Sequence, residues 1–303
     1  MPYDLTNPLV IGISSRALFD LEEENRIFEE QGLAAYEEYQ VRHEKDVLRK
    51  GAAFALAEAF LGLNRLQKER LVEVIVMSRN SPNTSLRIFN SIEHYGLDIT
   101  RAALSGGGAI APYLHAFQTD LFLSAHQPDV QQSINSGIAA GTILTGTVPE
   151  LASRGQIRIA FDGDAVLFSP ASERIYQHKG LDAFTSYERR KADIPMEEGP
   201  FAKFLQTIAH IQSKFSDRDA SPIRTALVTA RSAPAHERAI KTLRQWGVRV
   251  DEAFFLGGVS KQQVLSAFGC HIFFDDQTTH AEPASQFVPA AVVPYAEGQN
   301  PMK

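Results

Sequence analysis

A single cysteine, Cys270, stands in a chain of 303 residues. That scarcity excludes an intramolecular disulfide and any Cys-rich zinc cluster, and it fits a reducing compartment. No run of ~20 apolar residues occurs, so no transmembrane helix is expected. The opening MPYDLTNPLV has no basic region leading into an apolar stretch, so no secretory leader is expected and the anticipated location is cytoplasmic. Positive charge is not in excess: 30 Lys+Arg face 36 Asp+Glu, a formal net charge of −6. No general field therefore draws in a polyanion; nucleic acid is not an expected partner, and a phosphate ligand must be held by a local site. The 9 histidines have neither H-x-x-H nor H-E-x-x-H spacing, which argues against zinc.

What the chain does have is 44% hydrophobic and 22% charged residues, enough apolar material for one large or two medium cores. Short apolar runs alternate with longer helical patterns, which predicts an α/β fold with mainly parallel strands buried on both faces. The expected strands are Leu9 to Ile13, Leu71 to Met77, Ala102 to Leu104, Leu121 to Leu123, Ile157 to Phe161, Thr225 to Val228, Ala253 to Leu256 and His271 to Phe274. Ala52 to Leu61 and Phe201 to Phe215 have helical periodicity.

Self-comparison points to an internal repeat. At an offset of 148, Ser14 to Leu33 falls on Asp162 to Leu181, pairing Ala17 with Ala165, Arg26 with Arg174, Gly32 with Gly180, and further on Gly51 with Gly199. At 152, VMSRNSP from Val76 meets VTARSAP from Val228, which sets Met77 against Thr229. At 151, Gly96 to Ala125 meets Gly247 to Asp276, pairing Gly106 and Gly107 with Gly257 and Gly258, and Phe122 with Phe273. The expectation is a duplicated unit: a first domain over 1–150, a second over 151–303, and a boundary near Gly146 to Gly155.

The second unit carries the chemistry. IRIAFDGDAVLF puts Asp162 and Asp164 directly after an apolar strand, where parallel α/β sheets bind ligands, and Gly163 permits a sharp turn between them. Two such carboxylates can divide labour, one as nucleophile and metal ligand, the other as proton donor and acceptor. Three further strand ends add complementary groups. Thr229, Ala230 and Arg231 follow TALV, and a hydroxyl with the next backbone N–H can hold phosphate oxygens. Lys261 opens a helix after Gly257 and Gly258 as a charge-neutralising cation, and Asp275 with Asp276 offers the hard oxygen ligands Mg²⁺ prefers. Arg231 reads equally as a phosphate contact or as a salt bridge bracing the loop.

The order Asp-x-Asp, Thr, Lys, Asp-Asp resembles the four-motif signature of the haloacid dehalogenase-like phosphatase superfamily. The segments IRIAFDGDAVLF, ALVTARSAP, GLDAF, EGPFAKFL and HIFFDDQ, with VIGISSRALFDL and MSRNSPNTSLRIFNSIEHYGLDI in the first half, are similar to the cytosolic 5′-nucleotidase type I family. The resemblance covers Leu9 to Gln277. It implies a Rossmann-like, haloacid dehalogenase-type parallel sheet with a small helical cap, preceded by a degenerate copy of the same unit. It also implies Mg²⁺-dependent hydrolysis of nucleoside 5′-monophosphates, of the AMP or IMP type and including deoxynucleotides, through an aspartyl-phosphate. In that scheme Asp162 is the nucleophile and Asp164 the acid and base, while Thr229, Ala230 and Lys261 hold the phosphoryl group. Asp162, the Asp164 carbonyl and Asp275 hold the metal, with Asp276 behind them. Rival readings are a sugar phosphatase of the same superfamily and a nucleotide-binding regulator with a vestigial site. A homo-oligomer is compatible with all of them.

The stretch between the first two motifs exceeds a βαβ crossover and predicts a cap over about Ser169 to Asp219. In it Phe184, Tyr187 and Phe201 read either as base-stacking rings or as cap core. The first unit has Ser14, Ser15 and Arg16 where the second has Asp162, Gly163 and Asp164, and Ile110, Ser124 and Ala125 in place of Lys261, Asp275 and Asp276. It cannot run the same reaction. Ser14, Ser15, Arg16, Ser78, Arg79 and Asn80 are expected to make a metal-free, neutral-to-positive pocket for an anion or nucleotide effector, to lend residues to the catalytic cleft, or simply to cap helices. Cys270 reads as a small buried hydrophobe, the acidic run Glu22 to Glu30 as a solvated helix face, and Gly106 to Gly108 as a strand-to-helix turn.

Overall fold

Branched and aromatic residues in unbroken runs favour strands covered on both faces, and in the computed structural model, which describes residues 4–145, 155–215, 217 and 221–301, they form one large sheet. Its strands are β1 (Leu9–Ile13), β4 (Val72–Ser78), β5 (Arg101–Leu104), β6 (Leu121–Ser124), β7 (Ala139–Ile143), β8 (Ile157–Phe161), β9 (Ile223–Thr229), β10 (Glu252–Phe255), β11 (Ile272–Asp275) and β12 (Ala290–Val292). A separate two-stranded ribbon pairs β2 (Phe19–Asp20) with β3 (Arg49–Lys50). All eight expected strands are present; β7 and β12 in the large sheet, and β2 and β3 in the ribbon, are additional.

The order across the sheet is β10-β9-β8-β11-β12-β7-β6-β1-β4-β5. The first half thus runs β5-β4-β1-β6-β7, and the second has the corresponding order β10-β9-β8-β11-β12. Neighbours within each half are parallel. The halves meet at β7 and β12, which pair antiparallel with Ala291 opposite Ile143. The carboxyl ends of the two sets of strands therefore face opposite edges of the sheet. Small residues build this seam: a Cβ on Gly141 would come within 3.0 Å of the Ala291 Cβ and 3.2 Å of the Phe274 ring.

Corresponding features extend to the loops. Gly106 and Gly107 have φ of 56° and 91°, as do Gly257 and Gly258, so both turns use the left-handed region that glycine tolerates. Helices Glu22–Gln31 and Leu33–Arg42 are separated by Gly32 at φ 84°, while helix Ala171–Arg190 is broken by Gly180 at φ 77°. Backbone hydrogen bonds correct one pairing read from sequence. Ser105 N donates to Ser78 O and Leu256 N to Thr229 O, so Thr229 corresponds to Ser78 and not to Met77.

Within the expected cap interval two helices have different neighbours. Ala202–Ser213 lies on the sheet, with Phe204, Leu205 and Ile208 fully buried and Phe204 6.2 Å from Phe161, whereas Ala171–Arg190 carries the residues that reach the candidate site. Residues 216 and 218–219 of that interval, and 146–154 of the expected boundary, lie outside the described residues. One continuous core runs from Leu9 to Val293 through both halves. After β12 the chain returns to helix Gln127–Asn135 of the first half, where Gln131 Nε2 donates to Tyr295 O at 2.9 Å and Glu297 N to Asn135 Oδ1 at 3.0 Å. Among the described residues no helix is long and apolar enough to cross a membrane.

Candidate active site

β8, β9 and β11 are neighbours in the sheet, and their carboxyl ends bring the expected groups to one edge. Asp162 follows β8 and is fastened by its N–H to Phe274 O at 2.8 Å; Thr229 closes β9; Asp275 closes β11. Lys261, the first residue of helix Lys261–Phe268, places its Nζ 2.6 Å from both Asp162 Oδ1 and Asp275 Oδ2. Carboxylate oxygens of Asp162, Asp275 and Asp276 lie within 4.8 Å of one another.

Crowding of buried carboxylates dominates the electrostatics. Burial pushes the Asp162 carboxyl up to about 7, with Lys261 opposing and Asp275 and Asp164 adding to the rise. Burial likewise takes Asp276 to about 8, helped by Asp162 and Asp275. For Asp275 burial is outweighed by His280 and Lys261, which hold it below the usual range. Lys261 is held above the ordinary lysine value by Asp162 and Asp275 despite its burial. A divalent cation would relieve this crowding. Asp276 Oδ2 accepts from the Tyr295 hydroxyl, but its Oδ1 is buried with no partner. An unpaired buried oxygen beside two more carboxylates suits a hard cation such as Mg²⁺.

Asp164 faces elsewhere. Its Oδ2 and Oδ1 accept from Arg231 Nε and Nη2, each at 2.7 Å, so its carboxylate is turned from the acidic cluster into a braced loop. Arg231 Nη1 also donates to Glu188 Oε2 at 2.5 Å. Glu188 Oε1 accepts from Arg238 Nη1 at 3.0 Å and from Ser172 Oγ at 2.8 Å. Arg231 thus occupies the bracing position of its two readings. Phe184 is buried 5.4 Å from the Arg231 guanidinium, and the half-buried Tyr187 ring lies 5.3 Å from that of Arg238. Phe201 is core, fully buried and 4.6 Å from Phe274. Ala230 is exposed in the loop between Thr229 and Arg231. Gly163 gives Thr229 its room: a Cβ there would come 3.2 Å from Thr229 Oγ1.

Glu188, Arg238, Tyr295 and His280 were not read from the sequence. None of the four falls within a quoted motif, although Glu188 shares its helix with GLDAF, and no spacing signals them. Cys270 is fully buried, its thiol pushed up by burial. Glu24 departs from the expected solvated face: it is buried and paired with Arg87 at 2.6 Å.

At the opposite edge Ser14, Ser15, Arg16, Ser78, Arg79 and Asn80 line one cavity of about 510 Å³. Its charge corrects the expectation, because Glu24, Glu37 and Asp129 join Arg16 and Arg79 in the lining. With histidine neutral the lining sums to one negative charge. Lying across the sheet, it cannot lend residues to the acidic cluster of the same chain.

A buried lysine among carboxylates at the carboxyl ends of neighbouring parallel strands defines an α/β protein with a polar, cation-ready site at its sheet edge. The chain belongs to the 5′-nucleotidase family, whose profile matches residues 1–300. It is similar to the human protein cytosolic 5′-nucleotidase 1B, at 40% identity over 290 residues. That match covers 92% of this chain but 48% of the relative, so the chain spans about half the relative's length. No solved structure matches the chain.

Proposed function

We propose that this chain hydrolyses nucleoside 5′-monophosphates to nucleoside and phosphate, with one active site per chain, in the second of two units that arose by duplication. The observation carrying this reading is the juxtaposition of Asp162, Lys261, Asp275 and Asp276 beside Thr229. Asp162, Asp275 and the Asp164 carbonyl, with Asp276 behind them, would hold Mg²⁺, which supplies positive charge to offset repulsion between carboxylate and phosphate.

In this scheme an Asp162 oxygen attacks phosphorus as the bond to the 5′-oxygen breaks, and protonated Asp164 gives its proton to that departing oxygen. Asp164 then takes a proton from water, the water oxygen attacks phosphorus, and the Asp162–phosphorus bond breaks to restore the free carboxylate. Asp164 must part from Arg231 to serve, so Arg231 holds it between turnovers. Thr229 and the Ala230 N–H position the phosphoryl oxygens, and Lys261 neutralises charge that builds on them. The helix Ala171–Arg190, with Phe184 and Tyr187, selects the substrate.

The test is phosphate release across nucleoside monophosphates and sugar phosphates, with and without Mg²⁺. Release from nucleotides that depends on the cation supports the reading. Preference for sugar phosphates would move the substrate class, and no release from either would leave a binding protein.

A further inference from the structure

The cavity at the carboxyl edge of the first half retains the frame of a ligand site while having exchanged its charge. Ser78 stands where Thr229 stands, and in both loops the hydroxyl accepts the backbone N–H two residues on, Asn80 N at 3.2 Å and Arg231 N at 3.3 Å. Ser15 Oγ lies 3.0 Å from Ser78 Oγ, filling space that Gly163 leaves open beside Thr229. Where the second half has Asp162 and Asp275, this floor has Ser14 and Ser124.

The guanidiniums at its mouth are committed to the protein. Arg16 donates to both oxygens of Glu22 at 3.0 and 2.9 Å, and Arg79 donates to Gly107 O at 2.6 Å with Asp129 3.7 Å away. With a lining that sums to one negative charge, a phosphate would meet net repulsion, and each guanidinium already has a carboxylate beside it. The walls instead suit a flat ring. Phe28 and Tyr36 meet edge to face at 6.0 Å, and Phe28 leaves 48% of its surface uncovered. One donor waits. The Tyr36 hydroxyl accepts from Gln40 Nε2 at 3.0 Å and donates to Asn80 Oδ1 at 3.1 Å, and Asn80 Nδ2 is buried without a partner. A buried amide donor needs an acceptor, and a ring nitrogen or ring carbonyl is one.

We infer that this cavity binds an uncharged nucleoside, its base stacked on Phe28 with Tyr36 edge-on beside it and accepting from Asn80 Nδ2, its sugar hydroxyls on the serine floor. A cavity of about 510 Å³ has room for such a ligand. This assignment goes beyond the hydrolytic reading and does not rest on it.

Calorimetric titration of the full chain with adenosine, AMP and inorganic phosphate, without divalent cation, tests it. Asn80→Leu removes the waiting donor, and Phe28→Ala, at an exposed ring, removes the stacking face with little threat to folding. Each substitution should weaken adenosine binding about tenfold, the cost of one buried hydrogen bond or aromatic face, while inorganic phosphate gives no heat that depends on either. Adenosine binding unchanged in both variants, or phosphate binding that Asn80→Leu weakens, would overturn the assignment. Because no step of the titration involves hydrolysis, its failure is distinct from an inactive Asp162 site.

Discussion

Arg231 and Asp164 are joined by two parallel hydrogen bonds of 2.7 Å, so the group proposed to move the proton is held in a bidentate ion pair. The grip extends to Glu188, which is fully buried and shared with Arg238. Removing one partner from such a network strands buried charge. Arg231→Ala should lower the free energy of unfolding by about 3–5 kcal/mol, measured by chemical denaturation. A loss within experimental error would show that the network is not held as described.

Asp162 is assigned a bond to phosphorus that no neighbour can make in its place. Asp162→Asn keeps the size and hydrogen-bonding reach of the side chain, so the fold should persist while phosphate release falls by roughly a thousandfold or more. Circular dichroism checks the first outcome and a phosphate assay the second. Retained turnover would remove Asp162 from its role.

Gly51 and Gly199 offer a paired experiment. A Cβ on Gly51 would come 2.8 Å from Ala17 O, and one on Gly199 2.5 Å from Phe168 O and Val166 O. Both contacts are with backbone, which cannot step aside cheaply. Each glycine-to-alanine change should destabilise by about 1–3 kcal/mol, but Gly199→Ala alone should also reduce turnover, because it shifts the loop that follows Asp164. Equal effects on activity would argue against a single active site.

The acidic cluster makes stability depend on pH. Asp162 and Asp276 are raised from an ordinary 3.8 to about 7 and about 8 in the folded chain. Between those limits the folded form binds more protons than the unfolded one, so the metal-free protein should melt at progressively lower temperature as pH rises from about 5 to about 8. Asp276→Asn should flatten that dependence, and millimolar Mg²⁺ at the alkaline end should restore the melting temperature. Melting curves that do not respond to pH would refute the crowding of charge.

Most of the strands legible in the sequence have bulky apolar runs, such as VIVM in β4 and IRIAF in β8, with RAAL of β5 the exception. β7 and β12 escaped because AAGTI and AAV are built from small residues, chosen by the close approach at the seam rather than by strand propensity. Asp162, Thr229, Lys261 and Asp275 could be placed at one edge in advance because each adjoins an apolar run or a glycine turn. Glu188 and Tyr295 could not, since they act across the fold on Arg231 and Asp276 through contacts that no local pattern records. The pairing of Met77 with Thr229 failed by a single residue, and a ladder alternates faces at every residue, so an ungapped comparison cannot settle it.

The antiparallel seam between β7 and β12 has a consequence for traffic. Five strand spacings of about 4.8 Å separate β1 from β8, and their carboxyl ends open to solvent in opposing directions. Molecules entering one mouth never queue behind those entering the other. Any message between the mouths has to be carried by the scaffold itself, and one route is visible in the return of the carboxyl-terminal segment, where Tyr295 touches Asp276 with its hydroxyl and Gln131 with its carbonyl.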